Sequence, residues 1–303
     1  MTSARLSTAT DPADPAPIRI GPTTFVWGVR TYVMGILNVT PDSFSGDGLL
    51  ADGDPVEQAL AQARRMVEEG ADILDIGGES TRPGHTQIDA AEEIARVVPV
   101  ITAVAAALPE VPISVDTSKP EVAEAALAAG AHLLNDVWGT GRDVGTMATV
   151  AAAAGVPLIV MHNRAEAHYE RPVVTEVLAD LRVALERAIA GGVPDTNLIV
   201  DPGIGFGKTA DDNLAVLRHL GSLSRLGRPI LLGTSRKSTL GRILGLPVEE
   251  RLEATLATTA LGIAAGVDIV RVHDVRPNVR AARVSDAIVR GHWRADAAEG
   301  GTP

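Results

Sequence analysis

Short apolar runs alternate with longer segments in which apolar residues recur at helical spacing, and the alternation continues almost to the end of the chain. The runs predict strands over 32–37, 72–76, 112–115, 132–135, 157–161, 197–200, 229–232 and 268–272. Between them the pattern predicts helices over 54–69, 90–107, 119–129, 144–154, 173–190, 210–220, 237–244 and 248–265, with a last one near 275–290. Gly70, Gly130, Gly155 and Gly266 each end a helical run and lead directly into a strand, as a left-handed cap in a short αβ loop does. Eight βα units with repeated caps predict one (β/α)8 TIM barrel rather than an open sheet. The competing doubly wound sheet needs a dinucleotide fingerprint after its first strand, and Gly35-Ile36-Leu37-Asn38 does not supply one. Upstream, apolar stretches at 18–20 and 24–27 flank Gly21-Pro22-Thr23 and predict an antiparallel β-hairpin that closes the bottom of the barrel. The domain expected is therefore a single barrel over 18–292, with a disordered tail over 1–17 and a frayed one over 293–303.

Composition supports this and removes several functions. The chain has 303 residues, 46% of them hydrophobic but only 3% aromatic. Branched aliphatics suit strands buried on both faces, and alanine suits the helices packed on them. Cysteine is absent, which excludes disulfides, thiolate nucleophiles and cysteine-ligated zinc. No apolar run is long enough for a membrane span, and the N-terminus has no apolar signal region, so a cytoplasmic protein is expected. A formal net charge of −11 argues against non-specific nucleic-acid binding. It leaves room for an anionic small molecule held by a few converging cations.

Candidate chemistry gathers at the C-terminal ends of the predicted strands. Asn38, Asp75, Asp116, Asn135, Met161 with His162, Asp201, Ser235-Arg236-Lys237 and Arg271 with His273 occupy those ends in order. This is the catalytic face of a barrel. A single such Asp often only caps the next helix; polar termini on all eight strands exceed what capping requires. Arg271 and His273 are two residues apart, so period two turns both inward. Two loops add anion chemistry: a long one from Asn38 to Gly48, and Gly77-Gly78-Glu79-Ser80-Thr81-Arg82-Pro83-Gly84, where Arg82 can fork onto a phosphate. In Asp201-Pro202-Gly203-Ile204-Gly205-Phe206-Gly207-Lys208-Thr209 the last three residues imitate a phosphate loop. Pro202 stands where that motif needs its first glycine, so an ATPase is not expected. Phe206 among glycines suits a wall for a flat substrate. No His/Glu cluster has zinc spacing, and no serine elbow is present.

These stretches together resemble the dihydropteroate synthases, pterin-binding enzymes of folate biosynthesis. The likeness runs from about Val33 to Val279 through Met34 to Ser45, Asp75 to Gly84, Ser114 to Thr117, Asn135 to Val137, Met161-His162, Asp201 to Lys208, Ser235 to Ser238 and Arg271 to Asp274. The resemblance implies a homodimeric transferase that joins 6-hydroxymethyl-7,8-dihydropterin diphosphate to 4-aminobenzoate, releases diphosphate, and is a target of sulfonamides. It places the pterin on Asp116, Asn135, Met161, Asp201 and Lys237. The diphosphate falls on Asn38, Thr81, Arg82, Arg271 and His273, with Mg2+ on Asn38 and the substrate oxygens. The aminobenzoate falls on Thr81, Pro83, Phe206, Lys237 and Ser238. Catalytic roles are expected for Asp116, Asp201, Lys237, Arg271 and His273 in an SN1-like displacement. Two departures stand out: Ser45-Gly46-Asp47-Gly48 alters the commoner order of the first loop, and residues 163–172 hold little that matches the family's pattern, which leaves that loop's role open. A methyltetrahydrofolate-type pterin methyltransferase shares the barrel, and a non-catalytic paralogue would share the pocket. The diphosphate loops and the intact polar set argue against each.

Overall fold

The computed structural model describes residues 14–40, 54–79, 87–140 and 144–291. The expected tails lie mostly outside these residues, as do 41–53 of the first long loop and 80–86 of the second. A two-stranded antiparallel hairpin, β1 (Ile18–Ile20) and β2 (Thr23–Phe25), precedes eight parallel strands. These are β3 (Tyr32–Asn38), β4 (Ile73–Gly77), β5 (Ile113–Asp116), β6 (Leu133–Asp136), β7 (Leu158–Met161), β8 (Leu198–Asp201), β9 (Leu231–Leu232) and β10 (Ile269–Val272). The pairing order is β8-β7-β6-β5-β4-β3-β10-β9. The Val200–Ile230 bridge and a 2.9 Å bond from the Val200 amide to the Pro229 carbonyl join its two ends. The sheet is a closed (β/α)8 barrel, as the sequence predicts.

Its helices are α1 (Pro55–Glu68), α2 (Ala90–Ala107), α3 (Pro120–Ala128), α4 (Val144–Ala154), α5 (Val173–Ala190), α6 (Ala210–Arg218), α7 (Ser238–Leu244), α8 (Leu252–Ala264) and α9 (Val275–Val289). Asp54 and Asp89 cap α1 and α2 by accepting from the amides of Val56 and Glu92, and Thr209 with Asp212 forms a capping box on α6. The four αβ-loop glycines take φ between +68° and +114°, so the repeated caps are real. The helix expected over 210–220 stops at Arg218, and a 3-10 segment, Leu220–Leu226, follows. Its buried leucines fall at 220, 223 and 226, and a spacing of three is the period of a 3-10 helix. The helix expected over 248–265 likewise divides into a 3-10 turn, Val248–Glu250, and α8.

Period two sorts each strand between two cores. Outward residues such as Leu37, Leu74, Val115, Leu134 and Val160 pack with the helices. Inward Met34, Ile73, Leu133, Ile159, Ile199, Leu231 and Ile269 form a separate cluster at the N-terminal end of the barrel, completed by Ile18, Ile20, Phe25 and Trp27 of the hairpin segment. In a chain so poor in aromatics, three of them meet here. Phe25 and Tyr32 lie 4.6 Å apart between ring centroids, and Trp27 meets Tyr32 edge-on at 5.6 Å. The Tyr32 hydroxyl donates to the Val26 carbonyl and accepts from the Val26 amide, and Trp27 Nε1 donates to the Ala16 carbonyl. The hairpin is the floor on which the polar half of the barrel stands. Replacing fully buried Phe25 by alanine should cost about 3–5 kcal/mol in denaturant unfolding. A loss below about 1 kcal/mol would show that the floor bears little of the stability.

Candidate active site

Above the apolar floor the same inward positions become polar. One step up each strand stand Asp75, Ser114, Asn135, Met161, Asp201 and Arg271, with Asp116 a step beyond Ser114. Asp75, Asp116, Asn135, Met161 and Asp201 are all buried. The register sets Asp75 beside Ser114, Asp116 beside Asn135, and Met161 beside Asp201.

Arg271 is the centre of this layer. Its Nε donates to Asp75 Oδ2 and its Nη2 to Asp116 Oδ2, each at 2.5 Å. Burial opposes a charge there, but the two carboxylates more than offset it, and Arg271 stays cationic. Asp116 pays on the other side: burial pushes its carboxyl well up, and the Arg271 cation only partly restores it. The Asn135 amide nitrogen donates to Asp75 Oδ2 at 3.2 Å, which leaves Oδ1 as that side chain's acceptor. Asp201 Oδ1 accepts from the Gly203 amide at 2.7 Å, yet burial still pushes Asp201 up to about 6. Burial also brings Lys237 down to about 8, and its Nζ sits 4.0 Å above the Phe206 ring centroid. Three acceptor atoms among the described residues are buried without a partner: Asp75 Oδ1, Ser114 Oγ and Asp116 Oδ1. Each such group costs about 1–3 kcal/mol unless a ligand donates to it.

The opposite wall is built on strain. Arg236 stands between Ser235 and Lys237 with φ +57°, a left-handed conformation that a side chain rarely adopts. Asp274 holds its guanidinium at 3.0 and 2.6 Å, Thr255 Oγ1 accepts from its amide, and Arg251 donates to its carbonyl. Ser235 Oγ accepts from the His273 amide at 3.1 Å and lies 3.0 Å from His273 Nδ1. A hydroxyl that accepts from the amide can donate to Nδ1, which leaves the ring proton on Nε2. Burial first, then Arg271, holds His273 down at about 3, so the imidazole is neutral. Asn38 ends β3 half-buried, and Ser238 opens α7 exposed to solvent. No three metal-ligating side chains converge among the described residues. A cation bound here would take one hard oxygen from Asn38 and the rest from a ligand, which is how Mg2+ rides on phosphates.

The model of the pterin binding enzyme family matches residues 34–273. The dihydropteroate synthase of Clostridium beijerinckii is 50% identical over 274 residues, covering 90% of this chain and all of that one. Among solved structures, a dihydropteroate synthase from Clostridium difficile in the presence of pteroic acid superposes with a TM-score of 0.83 at 49% identity, over 88% of this chain and 99% of its own. The Xanthomonas albilineans enzyme with 4-aminobenzoic acid gives 0.81 at 44% identity, over 86% and 94%. The chain belongs to the dihydropteroate synthase family of pterin-binding enzymes.

For a member of this family, the structure brings Asp116, Asn135, Met161 and Asp201 into one buried layer, sets half-buried Arg271 against Asp116 and Lys237 over Phe206, and puts His273 beside Ser235. It places Arg271 against the carboxylates of Asp75 and Asp116. Thr81, Arg82 and Pro83 lie outside the described residues. Asp75 was not among the residues the resemblance assigns to substrates, although a lone acid inside the apolar run Ile73–Gly77 and in phase with inward Ile73 marks it. Arg236 and Asp274 also stand at strand ends, but nothing along the chain pairs them, because the left-handed backbone that joins them is a tertiary feature.

The raised carboxyls make stability depend on pH in a definite direction. Asp201 has an ordinary value of 3.8 and about 6 in the fold, so folding favours its protonated form. Its contribution is present below about 4 and is lost as pH rises through about 6. Asp201→Asn keeps an oxygen for the Gly203 amide and removes the charge. Thermal melts should coincide with wild type near pH 4 and favour the variant increasingly toward pH 7; a gap independent of pH would refute the assignment.

Proposed function

We propose that this enzyme condenses 6-hydroxymethyl-7,8-dihydropterin diphosphate with 4-aminobenzoate to give 7,8-dihydropteroate and diphosphate. The observation that carries the reading is the array of buried acceptors below a lysine and an aromatic ring. A pterin's 2-amino group and ring N–H are donors, and Asp116 Oδ1, Asn135 Oδ1 and Asp201 are acceptors already set in one layer. Its ring carbonyl is an acceptor for Lys237, and Met161 offers an apolar face beneath it. A site that leaves buried polar atoms unpaired discriminates by large factors against rings that lack the matching groups.

The chain's own groups favour loss of diphosphate before attack by the amine. Positive charge developing on the exocyclic methylene is stabilised by Asp116 and Asp201, and the neutral His273 can donate from Nε2 to the departing anion. Arg271, held by Asp75 and Asp116, keeps a fixed positive charge beside the same region. Magnesium on Asn38 and the diphosphate oxygens would supply charge neutralisation of the leaving group. The aminobenzoate then packs on Phe206 with its carboxylate toward Lys237 and Ser238, where sulfonamides would compete. No side chain here needs to act as a strong base, because an aromatic amine attacks a cation in its neutral form.

We further infer a homodimer. Val284 and Ile288, one turn apart on α9, are 61% and 77% exposed, and Leu261 on neighbouring α8 is 71% exposed. Large aliphatics grouped in this way mark an interaction surface.

The assay is diphosphate release with both substrates and with each alone. Release that requires both, stops with EDTA and returns with Mg2+, and falls at least about a thousandfold in Asp201→Ala supports the reading. Release without the amine would point to hydrolysis, and no release even with both substrates together would remove the synthase assignment. Sedimentation should give a dimer that Ile288→Asp dissociates; a monomeric wild type would overturn that part.

A further inference from the structure

Lys208, the lysine of the failed phosphate-loop motif, folds back into its own loop. Its Nζ lies 2.9 Å from the Gly203 carbonyl, 3.0 Å from the Phe206 carbonyl and 2.8 Å from His162 Nδ1. Burial brings Lys208 down to about 7, and in its ammonium form its three donors meet these three acceptors. Behind it, His162 is fully buried and its Nε2 lies 3.1 Å from Asp180 Oδ2 on α5. Polarity along this line is consistent: Nδ1 accepts from the lysine, so Nε2 carries the proton and donates to Asp180. Burial holds His162 down at about 4, in keeping with that neutral tautomer. Arg164 fixes Asp180 through Nε and Nη2 at 3.0 and 2.7 Å and also pairs with Glu176 at 2.8 Å. From the far side the Tyr169 hydroxyl donates to the Gly207 carbonyl at 2.7 Å.

The loop cannot relax from this grip without moving the site. Gly203 has φ +66°, and a Cβ there would lie 1.8 Å from the His162 carbonyl oxygen; its amide holds Asp201 Oδ1. A Cβ on Gly205 would come within 3.0 Å of Lys237 Cδ. Phe206, at the tip, lies under Lys237.

We propose that Lys208 is a positioning residue: seated on His162, its ammonium gathers the carbonyls of Gly203 and Phe206 and so fixes the Phe206 ring where the aminobenzoate binds. The segment 163–172, whose role the sequence leaves open, is the outer half of the same clamp through Arg164 and Tyr169. Asp201 is anchored in β8, whereas Phe206 rides on the loop. Loss of the clamp therefore acts on the amine more than on the pterin.

This inference rests on the synthase reading, and wild-type turnover separates the two: if wild type does not join the substrates, the reading fails first. Given turnover, Lys208→Met should raise KM for 4-aminobenzoate about tenfold to a hundredfold while KM for the pterin diphosphate moves much less and the melting point stays near wild type. The chain has no cysteine, so Lys208→Cys provides a unique thiol. Alkylated unfolded with 2-bromoethylamine and refolded, it should regain the low KM; the neutral S-ethyl product should not. If neither variant folds, Tyr169→Phe should show the same selective rise in smaller degree. The proposal is overturned by an unchanged KM for 4-aminobenzoate, by parallel loss for both substrates together with a lower melting point, or by equal rescue with the neutral alkyl group.

Discussion

Arg271 carries its guanidinium into the interior of a closed sheet, where Asp75 and Asp116 each take one of its nitrogens at 2.5 Å. The three side chains are largely buried there, so each charge depends on its partners to offset the loss of hydration. The pairs fix the arginine and two carboxylates as one unit spanning β10, β4 and β5, and the rest of the site is arranged around it. Asn135 is oriented by Asp75, Asp116 is left with one free oxygen, and His273 is held neutral by its burial and the neighbouring cation. An aliphatic replacement of such a triad is often as stable or more so. Its value lies in placing donors and acceptors in advance of the substrate.

That advance placement has a cost visible in the structure. Among the described residues three buried acceptors lack partners, Asp116 and Asp201 are pushed toward protonation, and Arg236 keeps a left-handed backbone against its preference. Each feature is relieved or used when a ligand supplies donors and anions. Stability comes instead from the opposite end, where the hairpin aromatics and the inward aliphatics make a dry floor. The barrel thus divides its labour along its axis: apolar packing below, unsatisfied polarity above.

The loops beyond the strands are shaped by contacts from outside the barrel. Lys208 folds inward on His162, and Arg164, Asp180 and Tyr169 of the preceding βα unit close over the loop after β8. Residues that look like spare charge along the chain are therefore spent on fixing loop backbone. The same holds for Lys119, which joins Glu79 at the base of the second loop to buried Glu93 of α2.

Much of this was readable from the chain itself. Strand and helix periods, the glycine caps and the hairpin turn fixed eight βα units and their floor, because those signals are local and burial on both faces leaves a strong apolar signature. Period two also turned Arg271 and His273 inward, and Asp116, Asn135, Met161 and Asp201 stood at strand ends on the same face of the barrel. What local signals could not carry was pairing between strands. Arg271 with Asp75 and Asp116, the left-handed Arg236 held by Asp274 and the seat of Lys208 on His162 each join residues through space. A charge on one strand finds its partner on another only once closure of the barrel removes water between them, and that step belongs to the tertiary structure alone.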